Sequence, residues 1–523
     1  MEYKETVNHA MCGEQDANIS VCFAIATVNC SERMPNHCSV TQSVAREPPI
    51  DMAAPWYAVV ILAATVLGAS ITLRVMPLRT PSSESVITNR IVRNLKRVST
   101  EKKTVEKSTC GRVWVTVHSP EIKLTNGGEI IDAVELNWDF NDCSNTPRQI
   151  GLFNNQPVSW SNALVIYPIQ SADGHIVTKI PLGAGALPAG WESSAGAGGP
   201  NCLWPWAGAG DADIQAYNCL KIQPTWMEDN AAKINMLRIG ELVIPGTHNA
   251  GAWRFDTEIS TVTRDSFVLC QDRSIWAQLV HGIRYLDFRI AYYEFYPNKD
   301  DRYWLNHNLI RVRPLVPLLK EIRAFLDVTK EVVFLDAHHF PVGFYEPDGS
   351  PIRSVHAGLL EIVQRELGPH LAPADRFATA IGTRGPTLQT LLDADKRLLF
   401  SYVDNSVVSE NSWLWPILPH LWANTNNPSE LFQYLDEAIS MSPHPNARSP
   451  LYSAMAQTTP TVLDILLLRG SLRTNADAVN RNVTARLVTH WRQQANIVCT
   501  DFFLANDVID LSIALSNERG ARL

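Results

Sequence analysis

Leu242-Val-Ile-Pro-Gly-Thr-His-Asn-Ala-Gly251 places a histidine, His248, just beyond a short apolar strand and a Pro-Gly turn. Further along come Gly282-Ile-Arg-Tyr-Leu-Asp-Phe-Arg289 and Trp304-Leu-Asn-His307. In the second segment, the strand period of two puts Tyr285, Asp287 and Arg289 on one face and Leu286, Phe288 and Ile290 on the other. A carboxylate and a guanidinium on an inward face cost free energy unless they are paired or used in chemistry. An intra-strand ion pair is the structural alternative. His307 shares its face with Leu305 and Tyr303. A single loop histidine is more often structural than catalytic. Two histidines and an arginine together, however, supply a base for the attacking hydroxyl, an acid for the leaving oxygen and a cation for the phosphate charge. That is the equipment of phosphodiester cleavage.

From Ile234 onward, strand-like runs alternate with helical ones, as βα units around a parallel sheet require. The expected strands are Glu241–Ile244, Arg284–Ile290, Tyr303–Asn306, Val332–Ala337, Arg397–Val403 and Asn496–Phe502. Leu315, Leu318, Leu319, Ile322, Phe325 and Leu326 trace one apolar helix face, and Leu359, Leu360, Ile362 and Val363 begin another. An α/β fold with a closed TIM-like (β/α) barrel over residues 231–523 follows, with residues 405–460 read as an insertion between barrel units. Active sites of such barrels lie at the C-terminal strand ends. Asp336 and His338 end one strand on the face of Val332 and Phe334, while His339 faces the other way. Asp501 closes the last strand, where a carboxylate can fix the tautomer of a catalytic histidine.

The N-terminal part reads differently. Residues 1–51 are expected to be a poorly ordered tail, and residues 74–109, rich in Ser, Thr, Lys and Arg, a linker. Between them, Met52 to Leu73 contains no charged side chain and is long enough at helical rise to cross a bilayer. The basic residues that follow it place the C-terminal part in the cytoplasm by the positive-inside rule. A start at Met52 would make the same run a signal or signal anchor and export the remainder. Residues 110–230 carry short alternating runs, Val113–Val117, Ala133–Trp138 and Ala163–Tyr167, expected as an antiparallel sandwich, with Leu182–Gly210 a long loop anchored by tryptophans. Cys110, Cys143, Cys202 and Cys219 suit two disulfides in an oxidising compartment, or four buried thiols. Asn482-Val-Thr is an acceptor pattern for glycosylation.

A net charge of −8 without dense basic runs in the folded part argues against a nucleic-acid partner. The segments Ile244–Asn249, Gly282–Arg289, Leu305–His307 and Val333–Asp336 resemble the X domain of phosphatidylinositol-specific phospholipase C, most of all the X-domain-containing proteins without the other modules of the signalling enzymes. The resemblance implies His248 as general base on the inositol 2-hydroxyl, His307 as general acid on the diacylglycerol oxygen and Arg289 on the phosphate. Beside these, Asp287 and Asp501 are expected as further catalytic groups, and Asn249, Asp336 and His338 as substrate-binding residues. An arginine in place of an acidic ligand implies catalysis with no metal and no cofactor. The implied partners are a phosphatidylinositol-type lipid and a membrane. Asn249 stands where the bacterial enzymes have aspartate, and Asn308 stands in place of a usual glycine. Both support the competing expectation of an inactive lipid- or glycan-binding protein. Glycerophosphodiester hydrolysis would want a paired-carboxylate metal site near His248, and the sequence offers none.

Overall fold

The computed structural model describes two short strands near the N-terminus and the chain from Cys110 to Leu523, except residues 124–128, 183–186, 188–190, 192–201, 254–261, 379–383 and 442–449. The apolar run 52–73 and the linker 74–109 expected above lie outside the described residues. Within the stretch expected as a poorly ordered tail, β1 (Ile25–Cys30) and β2 (Cys38–Ser43) pair antiparallel in a unit of their own. Among the described residues, no helix is long and apolar enough to cross a membrane.

β3 (Arg112–Lys123), β4 (Glu129–Asp139) and β7 (Asp173–Val177) form one antiparallel sheet. β5 (Gln149–Phe153), β6 (Ala163–Pro168), β8 (Cys202–Gly210) and β9 (Ile214–Lys221) form a second, in the order β6-β5-β8-β9. Val113, Val115 and Leu136 from the first sheet pack with Ile150, Leu152, Ala207 and Ala209 from the second. Disulfides join Cys110 to Cys143 and Cys202 to Cys219. β8 corrects the loop expected over Leu182–Gly210. Its alanines and glycines are small because β5 lies directly against them, and a Cβ on Gly208 would stand 2.9 Å from the Phe153 ring. The register slips between Leu203 and Trp206, across Pro205, which has no N–H to give to a ladder.

The remaining strands are β10 (Ile244–Thr247), β11 (Tyr285–Tyr292), β12 (Tyr303–His307), β13 (Ile310–Pro314), β14 (Val333–His339), β15 (Leu398–Tyr402), β16 (His420–Leu421), β17 (Ser453–Met455) and β18 (Ile497–Thr500). β15-β14-β11-β10-β18-β17-β16 run parallel in that order. A parallel bridge from Ser401 to Trp415 then links the β15 edge to the segment leading into β16, so the strands form a ring. Ile244, Tyr285, Phe334, Leu399, Ile497 and Cys499 fill its interior. The alternate residues Leu286, Phe288, Leu335 and Phe400 pack outward on Leu318, Leu319, Ile322 and Phe325 of the helix Leu315–Val328. This is the period of two expected of strands covered by helices on one side.

Two expectations are corrected here. Residues 405–460 are not an insertion: they supply β16, β17 and the helix Pro428–Ser440, and the two strands span only two and three residues, too short for alternation to register. Tyr303–Asn306 is not a ring strand: β12 runs antiparallel to the outer half of β11 and folds back on β13 as a hairpin over the C-terminal ends of the ring. The strand expected at Glu241–Ile244 begins three residues later, after a 3-10 turn at Ile239–Glu241.

Candidate functional site

The opening motif is shaped by close packing. A Cβ on Gly246 would meet the Tyr285 ring at 2.7 Å, and one on Gly251 would meet the Leu305 side chain at 2.6 Å. The chain therefore passes tightly between β11 and the β12 hairpin, and His248, just past β10, is held between them. Its Nδ1 lies 2.8 Å from Asp501 Oδ1 at the end of β18, and its Nε2 lies 2.6 Å from Arg289 Nη2. A guanidinium can only donate, so Nε2 is the bare acceptor and Nδ1–H donates to Asp501. One tautomer satisfies both contacts. Gln271 holds the backbone beneath, donating from Nε2 to the carbonyls of His248 (3.0 Å) and Thr500 (2.9 Å).

Asp287 and Arg289 share the inward face of β11, as the alternation requires, with Arg289 Nε 3.6 Å from Asp287 Oδ2. The same carboxylate oxygen accepts the Asn249 backbone N–H at 2.9 Å. Burial pushes the Asp287 carboxyl up, but Arg289, and behind it His420, His248 and His338, outweigh burial and hold it below the usual carboxylate range. Asp287 thus anchors the loop and orients Arg289 without facing the base directly.

His307, at the end of β12, sets its ring edge-on to that of His248 with centroids 6.4 Å apart. Burial lowers its pKa to about 3, with Arg289 and His248 adding to the effect, so in the free protein the imidazole is neutral. The two asparagines that depart from the family pattern both fit. Asn308 takes φ 50, the left-handed region that a glycine would occupy and that asparagine tolerates. Asn249, at φ 41, donates from Nδ2 to the Asn306 carbonyl at 3.1 Å, tying the His248 loop to the His307 hairpin. An aspartate there would have no N–H to give.

Deeper in the ring mouth, Asp336 on β14 accepts from Tyr285 Oη at 2.7 Å and Ser401 Oγ at 2.7 Å, and lies 3.1 Å from His420 Nε2. His338 Nδ1 stands 3.6 Å from the same carboxylate, with its ring stacked on that of His420. Burial pushes Asp336 up, and the imidazoles of His338 and His420 more than offset it, leaving the carboxyl well below its usual range. His339 is exposed, facing away as expected. The structure thus gathers His248, Arg289, Asp287, Asp501, Asn249 and His307 at one point, with Asp336 and His338 beside them. Sequence reasoning missed Tyr285, Gln271, Asn306, Ser401 and His420. His420 sits on a two-residue strand and carried no signal. Asn306 lay inside the quoted Leu-Asn-His, and Tyr285 on the inward face already assigned.

Neither side-chain group near the site suits a metal. His248, Cys270 and Asp501 converge, but His248 Nδ1 is occupied by Asp501 and its Nε2 by Arg289, which leaves no free imidazole nitrogen for an ion. In the group Asp336, His338 and His420, the imidazole planes are parallel, so one ion cannot lie in both.

The C-terminal mouth of an α/β ring of parallel strands thus gathers two histidines, an arginine and buried carboxylates. No family model matches the chain. The mouse PI-PLC X domain-containing protein 3 is 28% identical over 335 residues, covering 58% of this chain and 97% of that protein. The human protein of the same name is 27% identical with the same coverage, and the mouse PI-PLC X domain-containing protein 2 is 27% identical over 314 residues, covering 55% and 85%. Among solved structures, the phosphatidylinositol-specific phospholipase C of Listeria monocytogenes aligns at 19% identity with a TM-score of 0.40, covering 56% of this chain and 98% of that one. That of Staphylococcus aureus aligns at 10% and 0.41, covering 56% and 97%. Over rather more than half of its length the chain is similar to PI-PLC X domain-containing proteins.

Proposed function

We propose that this protein is a phosphoric diester hydrolase that cleaves phosphatidylinositol-type lipids through a cyclic inositol phosphate, without a metal, in a TIM-like barrel preceded by a β-sandwich domain. The observation that carries the proposal is the single tautomer of His248, with Nδ1–H on Asp501 and Nε2 facing Arg289. His248 Nε2 takes the proton of the inositol 2-hydroxyl as that oxygen attacks phosphorus, and Asp501 stabilises the imidazolium that forms. Arg289 shifts from His248 to the phosphate oxygens and carries the developing charge. His307 gives a proton to the diacylglycerol oxygen as the P–O bond breaks. An anionic phosphate bound between Arg289 and His307 supplies a counter-charge that works against both the burial and the cation keeping His307 neutral at rest, so the substrate favours charging the acid that serves it. Asn249 and Asp287 position the base loop, while Asp336 and His338, joined by His420, face the inositol ring.

The non-catalytic reading draws on one feature, the burial of His307 that lowers its pKa and disfavours the charged acid. Phosphorus-31 spectra of phosphatidylinositol vesicles incubated with the full chain separate the two. A five-membered cyclic phosphate appearing before any monoester supports the mechanism, whereas vesicle binding with an unchanged phosphodiester signal supports the binder. A membrane-bound or exported location is proposed with the activity. The two disulfides support export. Asn482, exposed on the helix Leu472–Thr489, would then carry glycan, which a glycosidase mobility shift reads.

A further inference from the structure

We propose that Arg473 is a positioning residue through which the β-sandwich holds the His248–Asp501 pair in place. The inference rests on the proposed phosphodiesterase reading and gives the sandwich a part in that same site. Two segments far apart in sequence hold His248. Gln271 binds its carbonyl and that of Thr500, and Asp501 binds its ring. The segments are also joined to each other, since the Phe502 N–H donates to the Cys270 carbonyl at 2.9 Å. Phe502 takes φ 47, a left-handed backbone that an aromatic residue adopts only where its surroundings impose it.

Arg473, near the start of the helix Leu472–Thr489, braces both segments from behind. Its guanidinium lies over the Phe502 ring, 4.3 Å from the centroid, and its two Nη groups pair with both carboxylate oxygens of Asp272, Nη1 at 3.0 Å from Oδ2. Nη1 also donates to Ser119 Oγ, on β3 of the sandwich, at 3.3 Å. A buried guanidinium shared by a carboxylate, an aromatic face and a hydroxyl of the sandwich fixes all three relative to one another.

The rest of that helix repeats the arrangement. Asp477 and Arg481, spaced four apart from Arg473, meet the sandwich: His118 Nδ1 lies 2.9 Å from Asp477 Oδ1, and Arg481 Nη2 donates to the buried Glu135 of β4 at 2.5 Å. Asn480 turns to the other side and donates from Nδ2 to the Asp501 carbonyl at 3.1 Å. The helix is thus bonded to the sandwich along one side and to the Asp501 segment along the other, and Arg473 bonds to both. An ion pair that only joined two domains could sit anywhere along their contact. This one sits on the residues that directly follow Gln271 and Asp501.

Proton NMR of the full chain without substrate reads the His248 Nδ1–H held by Asp501, a resonance assigned by its absence in His248→Ala. Arg473→Met/Asp272→Leu removes both charges together, so neither is left buried and unpaired. In that variant the resonance should move upfield and exchange faster with water, and kcat on phosphatidylinositol vesicles should fall about 10- to 100-fold with KM nearly unchanged. Arg473→Lys keeps the cation without the planar fork and should fall between the double variant and the parent. A folded double variant with the parent's resonance overturns the proposal. Should the double variant not fold, Arg473→Lys decides, and a parent-like resonance and kcat there overturn it. A shifted resonance in the variants with no turnover in the parent chain supports positioning and counts against the phosphodiesterase reading.

Discussion

The two ends of the strand ring each hold an arginine and a carboxylate, and they treat them in opposite ways. At the N-terminal end, Arg284 and Glu331 are fully buried and completely satisfied. Arg284 Nε donates to Glu331 Oε2 at 2.9 Å, Nη1 to the carbonyls of Leu279 and Ile283, and Nη2 to those of Gln223 and Pro224 and to Glu331. Glu331 also accepts the N–H groups of Met227 and Glu228. At the C-terminal end, Arg289 Nε, Asp287 Oδ1, Asn249 Oδ1, Asn306 Oδ1 and His338 Nδ1 are buried without hydrogen-bond partners. A closed network with no open valence serves stability, whereas the polar atoms around His248 keep open valences, as the proposed function requires of a site that receives a ligand. The same residue types thus do different work, and what separates them is whether their partners belong to the protein.

Substitutions at the two ends should break along that line. The largest effect is expected at the satisfied pair: Glu331→Ala leaves a buried guanidinium uncompensated and should lower unfolding stability by about 3–5 kcal/mol, read by denaturant titration. A loss below about 1 kcal/mol would mean that the pair is not structural. Next comes His248→Ala, expected to reduce turnover about 10²–10⁴-fold and to cost less stability than Glu331→Ala, although it leaves the buried Asp501 without its imidazole partner. Comparable loss of stability and turnover would erase the contrast. Arg289→Lys keeps the charge but loses the planar fork and should reduce kcat/KM more than it raises KM, by about tenfold or more. An unchanged kcat/KM would remove Arg289 from the transition state.

The smallest expected effect is a pH dependence that belongs to neither end. His281, buried where β9 meets the ring, lies 3.2 Å from the Lys221 carbonyl, and burial, aided by Arg273, lowers its pKa from 6.5 to about 4. The unfolded chain therefore binds a proton that the folded chain refuses. Stability is full above pH 6.5 and falls on acidification toward pH 4, by about 1.4 kcal/mol per unit from this group. His281→Asn should flatten that slope, and an equal slope in both proteins would assign the acid sensitivity elsewhere.

Much of the C-terminal end was legible because its polar residues follow strand alternation. Asp287 and Arg289 fall on the inward face of β11 and Asp501 at the end of β18, where a period of two places them. The helix face from Leu315 to Leu326 is buried as its 3.6-residue spacing requires. What escaped the sequence depends on non-local pairing. β16 and β17 are strands only because the ring closes through them, and β8 reads as a loop because its small residues record the proximity of β5 and carry no propensity of their own. His420 entered the site through the first of these omissions. The hairpin carrying His307 looked like one more ring strand, since alternation cannot tell parallel from antiparallel.

Release of inositol phosphate from phosphatidylinositol vesicles by the full chain, with and without a calcium chelator and beside His248→Ala, tests the central claim most directly. The tautomer-locked His248 with Arg289 on the phosphate predicts turnover that survives the chelator and disappears in the variant. Turnover that requires calcium would contradict the role given to Arg289, and turnover retained in His248→Ala would contradict the role given to the base.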